Sequence, residues 1–428
     1  MAAGFLHRIG KIAVLSAYCN LVDFLTRNIT SSGHSMLKKV SIEHLKVDMY
    51  VHEIAEHKGT ISIKTKGRVT SQAIITALKK KGVKSVIIDT EKAFSDKDNT
   101  QSALDVEIDG IKKVKATSLI DELTRATELH KEGKQIQADL LESVATQTSL
   151  DIDIPKVFTQ KLVASIHRNP NALLCLTKMQ EKDDYLLEHS LNVAIILANF
   201  AKYLGLSEQK IDELAHAAFL HDIGKIKVED AILHKPGRLT PEEMEEMKRH
   251  VEYGVDYLRG ESIPENLVTI VGEHHERLDG LGYPQGKKGD EISTEGRMLA
   301  IADMYDALTA ERVYKPGLSS QKTFSILLAD APSRLDVTLV QRFIQCMGVY
   351  PVGSLVLLSN ERIAMVMDQT ASPLKPKVKV FYSVRNSHFL PPKDIDLSSD
   401  NSLSVMKAVL ATDYNIDVKG FFERSVAV

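Results

Sequence analysis

Between about residues 152 and 348, the sequence has almost continuous helical periodicity. The segment LLEHSLNVAIILANFAKYLGL has apolar residues at three- and four-residue spacing, as an amphipathic helix requires. Ser207 is placed to cap the next helix, SEQKIDELAHAAFLHDIG, and Thr240, Pro241 and Glu243 form a capping-box pattern. These signals predict a mainly α bundle in which each helix buries one apolar face.

The segments on either side of this helical region have strand character. Between about residues 36 and 90, the segments VDMYVHEI, GTISIKTKG and SVIIDT resemble strands, and SQAIITALKKKG has helical spacing. After residue 351, the segments GSLVLLSN, RIAMVMD and KVKVFYS are short, β-branched and separated by turn-forming residues. We therefore predict a mainly α fold, a helical bundle with a small α/β N-terminal domain and a short C-terminal β appendage.

Composition changes along the chain predict five segments. They are an N-terminal extension at 1–35, an α/β accessory domain at 36–90, a polar linker and helix at 91–150, the helical domain at 151–350 and the β-rich appendage at 351–428.

The N-terminal extension contains the apolar run from Ile12 to Leu25, which is too short to span a bilayer. Two interpretations stay open: either Met36 is the true start, or the extension forms an amphipathic helix. It has no clear signal-peptide cleavage site, so we expect a cytoplasmic protein. The formal net charge of −3 gives no basis for binding a nucleic acid polymer. The cysteines Cys19, Cys175 and Cys346 form no CxxC pair, which indicates free thiols.

Seven histidine and aspartate residues of the helical region stand out as candidate metal ligands. They are His189, His221, Asp222, His250, His274, His275 and Asp303. Because the chain has 15 histidines, each residue alone is weak evidence, and His250 alone also fits a solvated helix position. Helical bundles build metal sites from inward-facing residues of several helices. Imidazole and carboxylate ligands without thiolate suit Mn, Fe, Ni or Zn.

The number of these residues predicts a site for two metal ions. One tetrahedral ion needs about four ligands, whereas this set fits two neighbouring ions with Asp222 as the bridge. Such a pair stabilises in-line phosphoryl displacement and activates a bridging water, so no side-chain nucleophile is required. The absence of a GxSxG motif from the sequence agrees with this hypothesis.

Three basic residues are candidates for binding a phosphate group. Lys225 follows Asp222 by three residues in HDIGK, and Arg312 and Lys315 lie beyond Asp303 in ERVYKP. A guanidinium can bind two phosphate oxygens at once, and an ammonium supplies a compact positive charge. The alternative for Arg312 and Lys315 is a solvated helix end.

Three segments of the helical region resemble the motifs of the HD-GYP family of metal-dependent phosphohydrolases. HDIGK at 221–225 is similar to the signature of HD domains, and HHERLDGLGYP at 274–284 resembles the HHExxDGxGYP motif at every defined position. ADMYDALTAERVYK at 302–315 is similar to the segment that follows this motif in the family. The resemblance covers roughly residues 150–350. The segment that begins MLKKVSIEHLKVDMYV also resembles the small domain of unknown function that often precedes HD-GYP domains in bacterial proteins.

The resemblance implies an HD-type bundle that hydrolyses cyclic di-GMP to pGpG, and sometimes further to GMP, in second-messenger signalling. Some members prefer cyclic GMP-AMP. It implies that the seven histidine and aspartate residues bind metal, with Fe or Mn favoured and Ni or Zn as alternatives. It further implies that Asp222 and Lys225 are catalytic and that a diguanylate cyclase (GGDEF) protein is a possible partner. The substrate-binding residues that it implies are Gly282, Tyr283, Pro284, Arg312 and Lys315.

One position departs from the pattern of those family members that bind three metal ions. They carry a glutamate four residues before the first histidine, where this chain has Tyr185. Glu188 is adjacent to His189 and therefore points about 100° away from it around the helix. We therefore predict two metal ions. Two other hypotheses stay open, an HD hydrolase of nucleotide monophosphates or triphosphates and a catalytically silent receptor for cyclic dinucleotides.

Overall fold

The computed structural model describes most of the chain after residue 36. The described ranges are 37–45, 49–57, 67–69, 72–80, 82–89, 116–146, 148, 151–178, 185–310, 317–418 and 420. The N-terminal extension with Cys19, the polar linker and all but the last residue of the predicted strand GTISIKTKG lie outside these ranges. The chain forms two compact units.

The N-terminal unit contains an antiparallel four-stranded sheet with the strand order β1-β4-β2-β3. Its strands are β1 (Leu37–Ser41), β2 (Tyr50–His57), β3 (Gly67–Arg68) and β4 (Val83–Asp89). Helix α1 (Gln72–Lys80) lies between β3 and β4 in the chain, and its Leu78 is fully buried with Val51 and Val86 of the sheet. The predicted α/β domain is therefore confirmed.

The rest of the described chain is mainly helical, as the sequence predicted. The helices are α2 (Leu119–Thr146), α3 (Asp153–Arg168), α4 (Pro170–Leu176), α5 (Tyr185–Tyr203), α6 (Glu208–Leu220), α7 (Asp230–Leu233), α8 (Pro241–Lys248), α9 (His250–Gly260), α10 (Glu265–Glu273), α11 (Thr294–Thr309), α12 (Ser320–Asp330) and α13 (Val337–Met347).

Aromatic side chains fill the core between these helices. The rings of Phe158 and Phe219, on α3 and α6, are 5.0 Å apart between centroids. Phe343 of α13 packs edge-on against Phe200 of α5 at 5.3 Å and lies 5.2 Å from Tyr305 of α11. Such pairs add to the stability that burial of apolar area provides. They fix α5 and α11, which carry His189 and Asp303, and α6, which ends directly before His221.

The capping box predicted before α8 is present. The Thr240 hydroxyl accepts a hydrogen bond from the Glu243 backbone N–H at 3.3 Å, and the Glu243 carboxylate accepts one from the Thr240 N–H at 2.7 Å. These bonds satisfy backbone donors that the first helical turn leaves free.

A glycine allows the turn after α6 to lie directly against α9. The turn is a short 3-10 helix, Ile223–Lys227. A Cβ atom on Gly224 would lie 2.0 Å from the His250 carbonyl oxygen and 2.4 Å from the Gly254 nitrogen. Only a residue without a side chain fits such a close backbone approach. The contact brings the end of α6, and therefore His221, next to the start of α9.

The C-terminal residues form an antiparallel sheet with the strand order β8-β7-β6-β5-β9. Its strands are β5 (Leu355–Leu358), β6 (Arg362–Asp368), β7 (Lys377–Ser383), β8 (His388–Asp396) and β9 (Val405–Val409). The sequence predicted the three central strands β5, β6 and β7, but it did not predict the edge strands β8 and β9. Strand β8 is mostly exposed and contains Pro391 and Pro392, which are tolerated at an edge but hide the alternating pattern of a strand.

The fold class is confirmed as a mainly α bundle with a small α/β domain before it and a β appendage after it. Among the helices in the described residues, none is long and apolar enough to cross a membrane.

Candidate metal centre

The predicted metal ligands lie within or at the ends of several helices and meet inside the bundle. Six of them are buried, with at most 9% of the residue exposed, and His275 is half-buried. The six buried residues are His189, His221, Asp222, His250, His274 and Asp303. The structure therefore brings together residues that lie up to 114 positions apart in the chain.

The Asp222 carboxylate lies between two groups of imidazoles. Its Oδ2 atom is 3.2 Å from His221 Nε2 and 3.5 Å from His189 Nε2. Its Oδ1 atom is 3.5 Å from His250 Nε2 and 3.9 Å from His274 Nε2. Each oxygen therefore faces a different pair of histidines, which is the arrangement a bridging carboxylate requires.

The first group consists of His189, His221 and Asp303, whose ligand atoms all lie within 4.8 Å of one another. Asp303 Oδ1 is 3.0 Å from His189 Nε2 and 3.8 Å from His221 Nε2. Two ligand atoms bound to one ion at about 2.1 Å lie roughly 3–3.5 Å apart, so this spacing is compatible with a shared divalent ion.

The second group consists of His250, His274 and His275, which satisfy the same 4.8 Å limit. The Nε2 atoms of His250 and His274 are 3.4 Å apart. The interpretation of His250 as a solvated helix residue is wrong, because only 1% of this residue is exposed.

Backbone hydrogen bonds orient three of the imidazoles in the same way. The Nδ1 atoms of His221, His250 and His274 each lie within 2.6–2.8 Å of the carbonyl oxygen three residues earlier. A carbonyl oxygen can only accept, so Nδ1 carries the proton and Nε2 presents its lone pair to the interior. In metal-binding histidines, the ring nitrogen that does not bind the metal commonly makes such a hydrogen bond, which orients the ring.

Two polar atoms at the centre of the cluster have no hydrogen-bond partner among the described residues. They are His221 Nε2 and Asp222 Oδ1, and both are fully buried. Most buried polar atoms in proteins are paired, because an unpaired one costs free energy. Metal ions held by the two groups would use these lone pairs, so the residues present fit a metal site.

The protonation states of His250, His275 and Asp222 also suit metal binding. Burial lowers the pKa of His250 to about 4 and that of His275 to about 3, so both are neutral at pH 7. Burial alone would raise the pKa of Asp222, but His221 and Lys225 hold it well below its usual range. Neutral imidazole and ionised carboxylate are the forms that bind metals.

His189 differs from the other histidines because it lies between two carboxylates. Burial opposes its protonation, but hydrogen bonds to Asp303 and Asp306 raise its pKa to about 9. Its Nδ1 atom is 2.8 Å from Asp306 Oδ2. Asp306 is fully buried and was not singled out from the sequence. The signal in the sequence was its position three residues after Asp303, which places both carboxylates on the same face of one helix.

The other predicted site residues have different surroundings. Lys225 donates to Asp222 Oδ2 at 2.5 Å. The Tyr283 ring lies 4.7 Å from the His275 ring, at 36° to it. The peptide bond between Tyr283 and Pro284 is cis. Asp279 accepts a hydrogen bond from the Leu281 N–H at 3.0 Å, as expected for a turn.

Several predictions about this site concern residues outside the described ranges. Arg312 and Lys315 lie in the segment 311–316, which is outside the described ranges. The structure also does not describe the side chain of Tyr185. The Glu188 carboxylate accepts a hydrogen bond from Lys134 Nζ at 2.9 Å. Glu188 belongs to none of the groups of potential metal ligands found among the described residues.

Comparisons with known proteins agree with this description. The family profile of the HD domain matches residues 173–339. A domain of unknown function (DUF3391) matches residues 37–154, and a KOW domain associated with HD domains matches residues 355–416.

Three relatives are phosphodiesterases that act on cyclic dinucleotides. A cyclic di-GMP phosphodiesterase of Pseudomonas aeruginosa is 31% identical over 370 residues, which cover 85% of this chain and 89% of that protein. The response regulator RpfG of Xanthomonas campestris, also a cyclic di-GMP phosphodiesterase, is 43% identical over 134 residues, 30% of this chain and 35% of its own length. The 3′3′-cGAMP-specific phosphodiesterase 2 of Vibrio cholerae is 38% identical over 159 residues, 37% of this chain and 30% of its own length.

The fold and the histidine-aspartate cluster define an HD-domain protein, a class of metal-dependent phosphohydrolases. Since the similarity to the Pseudomonas relative extends over most of both chains, the chain belongs to the HD-GYP family.

Proposed function

We propose that this chain hydrolyses the 3′-5′ phosphodiester bonds of cyclic di-GMP and releases pGpG, with GMP as the product where hydrolysis continues. The observation that carries the proposal is the Asp222 carboxylate, whose two oxygens face different histidine pairs. A pair of adjacent ions is suited to in-line displacement at phosphorus. Similarity to a cyclic di-GMP phosphodiesterase over 85% of the chain supports the substrate class.

The proposed metal content is two divalent ions, with Fe or Mn favoured and Ni or Zn as alternatives. His189, His221 and Asp303 would hold one ion, and His250, His274 and His275 the other, with Asp222 shared between them. When bound, the ions would supply Lewis acidity, which activates a water molecule and neutralises charge on the phosphate. The choice among metals follows from nitrogen and oxygen ligands without sulfur.

The protein's own residues would orient the reactants. Lys225 holds the Asp222 carboxylate through a charged hydrogen bond and carries positive charge into the centre. Arg312 and Lys315 would bind the phosphate oxygens. Gly282, Tyr283 and Pro284 would form the rim of the substrate site, and the position of Tyr283 over His275 supports this role.

The domain division follows from the same hypothesis. The HD-GYP catalytic domain would occupy 151–350, after the accessory domain at 36–90 and the linker and helix at 91–150, with the β appendage at 351–428. A diguanylate cyclase (GGDEF) protein is the proposed partner, since it would produce the substrate.

Cyclic GMP-AMP is the second candidate substrate. The observation that favours it is the 38% identity to a cGAMP-specific phosphodiesterase over 159 residues. The metal centre would be the same for both substrates, because both contain the same phosphodiester linkage. The bases alone would distinguish them.

The test is turnover by the purified full chain loaded with Fe or Mn. The protein is incubated separately with cyclic di-GMP and cyclic GMP-AMP, the products are separated by chromatography, and bound metal is measured by elemental analysis. We expect pGpG and close to two ions per chain. Asp222→Ala should lose most activity and at least one ion, whereas Asp230→Ala, at an exposed position, should lose neither.

Three ions per chain would overturn the two-metal proposal. A fully loaded protein that binds cyclic di-GMP without cleaving it would instead be the silent receptor. Full activity of Asp222→Ala with two bound ions would place the site elsewhere.

A further inference from the structure

Two buried glutamates flank the adjacent histidines His274 and His275. Glu273 is 2% exposed and Glu276 is 4% exposed. Neither belongs to the groups of described side chains that could share a metal ion. Both carboxylates bind the loop that follows in the chain, so their task differs from that of the histidines between them.

The Glu276 carboxylate accepts three consecutive backbone N–H groups of this loop. Its Oε1 atom accepts from Gln285 at 2.7 Å and from Gly286 at 3.1 Å. Its Oε2 atom accepts from Lys287 at 3.0 Å. Successive backbone N–H groups that converge in this way form a concave site for an anion. The chain therefore supplies the anion from the residue next to a candidate metal ligand.

Glu273 binds the same loop farther along. Its carboxylate accepts from Lys287 Nζ at 2.7 Å and from the Ser293 N–H at 3.0 Å, and also from the Ser293 hydroxyl. The two glutamates thus fix both ends of the segment from Gln285 to Ser293.

The preceding residues of the loop lie directly against the histidine pair. The Tyr283 N–H donates to the His275 carbonyl oxygen at 3.2 Å, and the rings of the two residues lie 4.7 Å apart. A Cβ atom on Gly282 would lie 2.4 Å from the Arg277 nitrogen and 2.6 Å from the Glu276 Cα. The loop can keep this position only while its backbone stays close to residues 275–277.

We propose that Glu276 is a positioning residue that fixes the loop 282–287 and so holds Tyr283 over His275. The identity of the substrate in this inference rests on the proposed function, whereas the position of the loop does not depend on it. Glu276 acts through the loop backbone rather than through contact with the metal ions. Its loss should loosen the rim of the substrate site and leave the ions bound.

Glu276→Gln tests this role with little change of shape. Glutamine keeps one acceptor oxygen but replaces the other with an NH2 group, which would face a backbone N–H instead of accepting from it. Glu291→Gln is the matched control, because Glu291 is exposed and accepts a single backbone N–H, from Lys288 in the same loop. Glu276→Asp keeps the charge and is the second variant in case the glutamine protein folds poorly.

The first measurement separates binding from turnover with cyclic di-GMP. For Glu276→Gln we expect KM to rise by roughly tenfold while kcat changes by less than about threefold, because substrate contact at the rim is weakened. Metal content should equal that of the parent. Glu276→Asp should recover part of the loss, and Glu291→Gln should behave like the parent.

The second measurement needs no substrate. The chain contains no tryptophan, so Tyr283→Trp introduces a single fluorophore into the loop. We expect acrylamide to quench this tryptophan more strongly when Glu276→Gln is added, and not when Glu291→Gln is added.

Unchanged KM together with unchanged quenching in Glu276→Gln would overturn the proposal, as would loss of bound metal from a folded variant. If the parent cleaves no cyclic dinucleotide, the proposed function fails, and the quenching experiment alone decides the role of Glu276.

Discussion

Asp306 Oδ2 lies 2.8 Å from His189 Nδ1, and both residues are buried. The bond turns His189 Nε2 toward Asp303 and Asp222. Asp306 therefore has the position of a residue that orients a metal-binding imidazole without itself facing the centre.

Asp306→Asn should weaken metal binding. Asparagine offers no charge to stabilise the Nδ1 proton, so the imidazole is held less firmly and is a poorer ligand. We expect metal affinity to fall by about tenfold to a hundredfold, measured by competition with a chelator. Asp230→Asn, whose side chain is 93% exposed, is the control. Equal affinities of Asp306→Asn and the parent would show that the bond does not orient His189.

Lys225→Met should lower the rate without removing the ions. Methionine keeps the unbranched chain but removes the ammonium that donates to Asp222. A charged hydrogen bond is worth about 1.5–3 kcal/mol, which corresponds to a loss of roughly tenfold to a hundredfold in kcat/KM. Lys227→Met changes a lysine of the same turn and should leave the rate near that of the parent. A rate within twofold of the parent for Lys225→Met would contradict the catalytic role.

Replacement of both Arg312 and Lys315 by alanine should separate phosphate binding from metal binding. The protonated side chains cannot bind metal, so the ions should stay bound. At a low concentration of cyclic di-GMP, its cleavage should slow by roughly tenfold to a hundredfold for each of the two residues replaced. A small generic phosphodiester, assayed in parallel, should be affected much less. A double variant as fast as the parent would identify these residues as a solvated helix end.

Gly224→Ala should destabilise the metal centre, and Gly254→Ala should not. An alanine at 224 would meet backbone atoms of α9 at 2.0 Å and 2.4 Å, whereas at 254 the nearest atom is an ordinary 3.4 Å away. Overpacking of this kind costs about 1–3 kcal/mol or more. We expect a lower thermal midpoint and weaker metal binding for Gly224→Ala alone. Similar midpoints for the two variants would mean that the turn can move away from α9 at little cost.

The stability of the protein should depend on pH through His216, which is not a candidate ligand. Burial, with a smaller contribution from Lys156, lowers its pKa to about 4, and its Nε2 atom has no partner among the described residues. The unfolded histidine binds a proton below about pH 6.5. Acidification from pH 6.5 to 4 therefore favours unfolding, by up to roughly 3 kcal/mol at 1.36 kcal/mol per pKa unit.

His216→Leu removes this contribution and should make the loss of stability between pH 6.5 and 4 smaller than in the parent, measured from denaturant midpoints at several pH values. His234→Gln, at a position whose side chain is 68% exposed, should keep the dependence of the parent. A parallel loss of stability in His216→Leu and the parent would show that other groups cause it.

The sequence predicted the helical bundle and the candidate metal ligands because both depend on local properties of the chain. Helical periodicity from residue 185 onward is strong, and the motifs HDIGK and HHERLDGLGYP place their histidines at helix ends. The edge strand β8 was missed because its prolines and exposed residues lack the pattern of a half-buried strand.

The sequence by itself determined which side chains could bind metal, since ligand chemistry belongs to the residue type. Only the tertiary structure decided their grouping, because His189 and Asp303 meet across 114 residues and Asp222 lies between two histidine pairs. It also decided the tautomers, which depend on carbonyl oxygens one helical turn away. The roles of Asp306 and Glu276 were hidden for the same reason: a buried carboxylate takes its role from the partner that packing brings to it.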